Sequence, residues 1–272
     1  MARRNAPTRP TGPTEPTELT GPIELTGPTE PPELTGPIEL TGPIEPTGWA
    51  ADAVGAAVRA LTPHADPERA AGMARYMRDQ FPFLGIGTPT RTAALKAAWQ
   101  PLPAPPGSTD LATAATALWN LPQREFQYAG CDLLGRWIRH AGPELLTGGI
   151  QQLITTKSWW DTVDALRPVA VGPLVAAHPE LVEVLRRWIE SDDRWLVRSA
   201  IIHQLGYRER TDADLLFAFC ARRAADREFF VAKAIGWALR THARREPDAV
   251  RGFVDAHPGL TPLARREALK HL

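Results

Sequence analysis

The chain has 272 residues, with 31 basic and 31 acidic side chains, 27 prolines and two cysteines. Cys131 and Cys220 each sit in helix-like sequence, which argues against a disulfide scaffold and fits a reducing cytoplasm. No apolar run approaches the roughly 20 residues that a membrane-spanning helix needs, so a cytoplasmic chain with no membrane partner is expected.

Residues 1–48 contain no aromatic residue and cycle through near-copies of one phrase: Thr20-Gly21-Pro22-Ile23-Glu24-Leu25, Thr35-Gly36-Pro37-Ile38-Glu39-Leu40 and Thr41-Gly42-Pro43-Ile44-Glu45. Proline at this density removes backbone donors, and so few large apolar residues cannot offset the entropy of ordering. The stretch reads as a disordered low-complexity tail. No apolar run follows Arg3-Arg4, which argues against a signal peptide, and glycine does not recur at every third position, which argues against collagen. With three arginines and seven glutamates the tail carries −4, so the neutral whole leaves about +4 on residues 49–272. Residues 194–272 hold 15 Lys/Arg against nine Asp/Glu, a balance of +6. A basic half of this kind tolerates a polyanion, though an ordinary solvated surface has the same balance.

From Trp49 onward the pattern is helical and long enough for one substantial domain. Phe126, Leu133, Leu134, Trp137 and Ile138 recur at helical spacing, as do Leu181, Val182, Leu185, Trp188 and Ile189. Helix starts are marked at Thr62-Pro63, Gly142-Pro143, His178-Pro179 and Thr261-Pro262, where a first-turn proline loses no hydrogen bond. Pro168 is expected to end or kink the helix that carries Asp164. Ala200-Ile201, Ala234-Ile235 and Ala268-Leu269 are spaced by 34 residues, and Trp195, Phe229 and Leu263, five positions earlier in each, keep the register. Leu205 and Leu239 continue it. A period near 34 in an all-helical chain means helix pairs stacked as a solenoid, here of the degenerate HEAT-like kind, whose concave face suits an extended partner.

The densest chemical cluster is Lys157-Ser158-Trp159-Trp160-Asp161-Thr162-Val163-Asp164. On a helix Trp160 and Asp164 share a face at i and i+4, while adjacent tryptophans diverge by about 100°, so one of them can leave the core. A carboxylate beside an exposed aromatic face suits a developing cation. A plain structural role fits equally: Ser158 caps the helix, Asp161 and Asp164 serve its first turn, and both tryptophans pack. Arg198 lies among core-like neighbours and could grip a phosphate, or pair with Asp192 or Asp193. Gly236, in mid-helix before Trp237, costs roughly 1 kcal/mol relative to alanine, so either a ligand or a neighbouring helix comes close there. Lys233, Arg240, Arg244 and Arg245 could track phosphates or form a solvated face. The seven histidines show no metal spacing, neither cysteine has a CxxC partner, and there is no phosphate-cradling glycine loop and no Gly-x-Ser-x-Gly elbow.

From about Pro67 to Leu272 the chain resembles the AlkD-type DNA alkylation repair glycosylases. The stretches that carry the likeness are Met73-Ala74-Arg75-Tyr76-Met77, Phe83-Leu84-Gly85-Ile86, Leu121-Pro122-Gln123-Arg124-Glu125-Phe126-Gln127, the cluster from Thr156 to Asp164, Ala234-Ile235-Gly236-Trp237, and Arg265-Arg266-Glu267-Ala268-Leu269-Lys270-His271. The resemblance implies an all-α HEAT-like solenoid with a concave basic cleft. It also implies excision of purines alkylated at N3 or N7 from double-stranded DNA. The catalytic aspartate falls on Asp164, its partner tryptophan on Trp160, the cleft arginine on Arg198 as a phosphate holder, and the second cleft tryptophan on Trp237. The DNA-facing residues expected with them are Thr88, Arg91, Lys96, Lys157, Trp159, Phe229, Phe230 and Lys233. Thr92 departs from the pattern, since a basic DNA contact is expected beside Arg91. No cofactor, no metal and no obligate protein partner are expected, and a monomer is the default. The competing readings are a non-catalytic module for distorted DNA and a protein-interaction solenoid.

Overall fold

The structure, a computed structural model, describes residues 46–272. The expected tail over residues 1–48 lies almost wholly outside them. Among the described residues every regular element is a helix. The chain runs through α1 (Gly48–Leu61), α2 (Pro67–Tyr76), α3 (Thr88–Ala98), α4 (Ser108–Asn120) and α5 (Arg124–Trp137). A π-helical stretch, Leu146–Ile150, continues into α6 (Gln151–Thr155). A second, Arg167–Val171, joins α7 (Trp160–Leu166) to α8 (Gly172–Ala177). Then come α9 (Val182–Ile189), α10 (Arg194–Ile202), α11 (Ala213–Arg222), α12 (Phe229–Ala243), α13 (Pro247–Ala256) and α14 (Pro262–Ala268).

The sequence punctuation acts as its chemistry requires. The Asp66 carboxylate accepts from the Arg69 amide at 3.1 Å and caps α2 ahead of Pro67. Thr261 does the same for α14, accepting from Ala264 N at 3.2 Å ahead of Pro262. Thr62-Pro63 and His178-Pro179 open 3₁₀ turns instead of α-helices, at Thr62–His64 and Pro179–Leu181. Pro168 ends α7 as expected, and the chain absorbs it as a widened turn, Arg167–Val171, before resuming in α8.

Helices α3, α5, α7, α10, α12 and α14 pack one on the next in that order, forming one row of the stack. Along the last three, Ala200, Ala234 and Ala268 are each 0 % exposed, so the 34-residue register marks the positions where the helices approach. Gly236 lies in the same seam. A Cβ there would stand 2.3 Å from Glu267 Cβ and 3.1 Å from the Ala264 carbonyl, so it is α14, packed against α12, that requires the glycine.

The row is also tied electrostatically. Arg91 of α3 donates to Asp132 of α5 at 3.1 Å. Arg124 of α5 donates to Asp161 of α7, Arg198 of α10 to Asp164 of α7, and Lys233 of α12 to Glu267 of α14. Between α10 and α12 the tie is Arg198 Nη1 to the Phe230 carbonyl at 2.8 Å. Each joint in the row therefore combines apolar burial with a directional bond that fixes the rotation of one helix on the next.

Candidate functional site

The site is built around α7, a helix of seven residues that owes its placement to its neighbours. Before it the backbone turns through Lys157 at φ +48°, a left-handed conformation unfavourable for a side chain of this kind. That turn is held from two sides. Lys157 Nζ donates to the carbonyls of Asn120 at 3.0 Å and Leu121 at 2.8 Å, while the Lys157 carbonyl accepts from Arg124 Nη1 at 2.8 Å. Burial, and then the nearby Arg124 charge, push the lysine pKa down. Ser158 does not cap α7; its hydroxyl donates to Ile154 O at 2.6 Å and closes α6.

Arg124 is fully buried and directs four bonds at this corner. Nε and Nη2 grip Asp161 at 3.0 and 2.6 Å, Nη2 also reaches Thr162 Oγ1 at 2.9 Å, and Nη1 takes the Lys157 carbonyl. The Phe81 ring lies 3.7 Å from its Cζ, and Tyr128 donates its hydroxyl to Asp161 Oδ2 at 2.6 Å. Burial, together with the Asp161 charge, raises the Tyr128 pKa and keeps the phenol a donor. Asp161 therefore anchors the start of α7 through a bidentate pair. Glu125, the residue after Arg124 and also fully buried, accepts the amides of Leu84, Gly85 and Ile86 at 2.8, 2.8 and 3.0 Å. Gly85 itself has φ +91°, and a Cβ there would stand 2.0 Å from the Asp66 carbonyl.

One turn beyond Asp161, Asp164 meets Arg198. Nε donates to Oδ1 at 2.8 Å and Nη2 to Oδ2 at 2.7 Å, a parallel fork. The arginine side chain is 6 % exposed and the carboxylate 20 %, so the acid faces outward and the base lies beneath it. Trp237 stands beside the pair, its ring centre 5.9 Å from Arg198 Cζ and 6.0 Å from Arg167 Cζ. Trp160, at i−4 on the face of Asp164, is half-buried and meets the ring of Tyr76 edge-on at 6.4 Å. Tyr76, at the end of α2, is 69 % exposed. The arrangement presents an oriented carboxylate flanked by aromatic side chains.

The structure brings Asp164 and Trp237 to Arg198, and places Trp160 on the Asp164 face of α7. It treats several other expected residues differently. The fork of Arg198 is closed on Asp164, with a third donor on Phe230 O, so its expected phosphate grip finds those donors engaged. Lys157 points its ammonium at backbone carbonyls. Trp159 packs against Trp195 and Phe230 at 6.0 and 5.4 Å, and Phe229 stands edge-on to Phe230 at 5.2 Å, so these aromatics form the floor of the region. Arg91 is buried beneath Tyr128 and paired with Asp132, whereas Thr88, Thr92 and Lys96 on the same helix are exposed. Lys233 shares Glu267 with Arg240. Arg245 pairs with Glu209 at 2.6 Å.

Sequence reasoning missed Tyr76, Arg124 and Arg167 as parts of this assembly. Tyr76 and Arg124 stood inside stretches already singled out, but nothing local shows that one faces Trp160 and the other Asp161. Among the described residues no cluster of His, Cys, Asp and Glu could hold a metal ion, and no single helix is long and apolar enough to cross a membrane. Both cysteines are buried, and burial raises the pKa of each thiol.

An all-helical stack that holds an aspartate–arginine pair beside Trp237 defines a helical-repeat protein with a polar, aromatic-lined site. The sequence profile described as DNA alkylation repair enzyme matches residues 57–272, and the chain belongs to that family. The solved structure of a predicted DNA alkylation repair enzyme from Enterococcus faecalis is similar, at 32% identity and a TM-score of 0.69. The match covers 76% of this chain and 96% of that one. No curated protein matches.

Proposed function

We propose that this chain is a DNA glycosylase that hydrolyses the N-glycosidic bond of cationic N3- or N7-alkylated purines in duplex DNA, acting as a monomer without a cofactor. The observation that carries this reading is the outward-facing Asp164 carboxylate, gripped from beneath by Arg198 and standing beside Trp237. A purine alkylated at N3 or N7 already carries positive charge, so it departs without a general acid. As the bond breaks, its electron pair neutralises the base and the sugar becomes oxocarbenium-like. Water then bonds to the anomeric carbon and gives up a proton to the carboxylate. Each Asp164 oxygen keeps a lone pair not engaged by Arg198, and a fixed carboxylate in a partly desolvated site stabilises developing positive charge far better than one in bulk water. Trp160 and Trp237 favour the same cation through their ring faces, by about 0.5–2 kcal/mol each.

Selectivity follows from the same chemistry. A neutral adduct lacks the cationic leaving group and would be cleaved poorly. The basic balance of residues 194–272 supports duplex DNA as the partner, with HEAT-like stacking giving it a concave seat.

The test is single-turnover release of 7-methylguanine from duplex DNA by the wild type and by Asp164→Asn. Excision by the wild type with a loss of about 10-fold or more in the variant is expected, since an oriented charge is removed from the transition state. Equal rates would remove Asp164 from the mechanism. Tight duplex binding without excision by either would favour a non-catalytic module for damaged DNA.

A further inference from the structure

Gly236 lets Glu267 of α14 come close to α12, where its carboxylate takes Lys233 on one oxygen at 3.0 Å and Arg240 on the other. Lys233 and Arg240 stand four residues before Trp237 and three after it, so all three share one helical face. Arg244, at the C-terminal cap of α12, continues that face one turn beyond Arg240. These side chains reach solvent, whereas Val231, Ile235 and Leu239 on the other side of the helix are buried.

Glu267 leaves much of this charge available. Two cations share a single carboxylate, and α12 itself contains no acidic residue. Only Nη1 of Arg240 is engaged, with the carboxylate and, at 3.4 Å, with the Glu267 carbonyl. Among the described residues Nε and Nη2 of Arg240 find no acceptor, and neither is sealed from solvent; the side chain is 24 % exposed. Arg244 is exposed and, among the described residues, enters no ion pair. Its neighbour Arg245 turns away and closes on Glu209 at 2.6 Å.

A file of positive charge therefore starts at the aromatic wall of the site and runs along α12 away from it. Such a file repels a cationic purine and attracts a polyanionic backbone, and the planar edge of an arginine matches phosphate oxygens two at a time. A basic residue near a helix C-terminus also offsets the helix dipole, and that role alone would leave DNA binding indifferent to both arginines. We propose that Arg240 and Arg244 hold backbone phosphates of the DNA strand that passes Trp237. The inference rests on the DNA-glycosylase reading above for its partner, duplex DNA, and both arginines lie outside the catalytic group. Asp164 then acts at the sugar on one side of Trp237, while the two arginines fix the strand on the other.

The test is duplex binding as a function of salt, on undamaged DNA, by the wild type, Arg240→Gln, Arg244→Gln, the double variant and Arg251→Gln. Each phosphate neutralised contributes about 0.9 to the slope of log K against log salt. Glutamine at position 240 keeps a donor for Glu267 but carries no charge. Arg251 lies on α13, outside the row, and pairs with Asp248 at 3.0 Å, so its variant removes the same charge away from the contact. The expected result is a slope lower by about 0.9 in each single variant, lower by about 1.8 in the double, and unchanged in Arg251→Gln. An unchanged slope in the double variant overturns the proposal and leaves the two arginines as helix-end charges. An equal fall in Arg251→Gln also overturns it, because net charge rather than contact would then be read. Because binding and not excision is measured, wild-type binding without base release would sink the glycosylase reading and leave this contact standing. No duplex binding by the wild type would sink both.

Discussion

Arg198 and Asp164, thirty-four residues apart, are joined by two parallel hydrogen bonds of 2.8 and 2.7 Å, with the carboxylate on the outside. The guanidinium thereby sets the plane of the acid as well as its charge environment, and its third bond, to Phe230 O, ties that plane to α12. A lysine is a point charge that cannot form the fork and reach Phe230 together. Arg198→Lys is expected to lower single-turnover release of 7-methylguanine by roughly 10-fold or more while changing duplex affinity by less than about 3-fold. Excision at the wild-type rate would show that the orientation of Asp164 does not matter.

The second bidentate pair, Arg124 with Asp161, is far more deeply buried, with side-chain exposures of 0 % and 7 %. Removing one member leaves an uncompensated charge in the interior. Arg124→Met is expected to lower the unfolding free energy by about 3–5 kcal/mol, measured by urea denaturation. Pairing it with Asp161→Leu is expected to recover a large part of that loss, because an apolar pair needs no solvation. If the double variant is no more stable than the single, the cost lies in packing rather than in the unpaired charge.

Gly236 offers a case in which helix propensity and packing disagree in sign. Alanine in an exposed helix would be favoured over glycine by about 1 kcal/mol. Here the added methyl meets Glu267 Cβ at 2.3 Å, and Glu267 is held by Lys233 and Arg240. Gly236→Ala is therefore expected to destabilise by about 1–3 kcal/mol, with α14 the first part to open in hydrogen exchange. A stabilised variant would mean that α14 can move aside freely.

His203 confers an acid sensitivity that can be isolated. Burial holds its pKa down to about 4, against the 6.5 of a free imidazole, with the Ala200 carbonyl and the Asp212 charge acting in the opposite direction. The folded pKa is depressed, so between these values the unfolded chain takes up the proton and the folded chain does not. Stability attributable to this group is thus fully present above pH 6.5 and falls towards pH 4, by roughly 3 kcal/mol in all. His242, whose pKa burial also lowers, adds to the trend. Urea midpoints at pH 7 and pH 4.5 are expected to lie closer together in His203→Gln than in the wild type. Parallel shifts in the two proteins would assign the acid sensitivity to other groups.

The sequence exposed what is periodic or local. The 34-residue register located the buried alanines of α10, α12 and α14, Pro168 marked the end of α7, and Gly236 announced a close approach without saying what approaches. Trp160 and Trp159 diverge as expected but not as two helical neighbours, since Trp159 is the extended residue before α7; one turns towards Tyr76 and the other into the aromatic floor with Trp195 and Phe230. Partners 33–41 residues away in sequence could not be read. Arg124 looks like any helical arginine until the fold places Asp161, Thr162 and the Lys157 carbonyl around it. Lys157, expected from the resemblance to face DNA, is sent by the backbone turn onto the end of α4. Arg198 was legible as a site residue, but its closure on Asp164 was not, since a guanidinium in sequence carries no indication of which acceptor it meets.

The two widened turns, Leu146–Ile150 and Arg167–Val171, each take up surplus chain inside a stack of otherwise α-helical elements. The charged ties span 34 residues from Asp164 to Arg198 and from Lys233 to Glu267, 37 from Arg124 to Asp161 and 41 from Arg91 to Asp132. A surplus residue taken up as a bulge keeps the residues after it facing the core and displaces by about 100° only those within the bulge. In this architecture a single inserted or deleted codon can exchange the residue presented to a ligand while every core contact survives. Selectivity can thus diverge by a shift of phase along the helix as readily as by replacement of an amino acid.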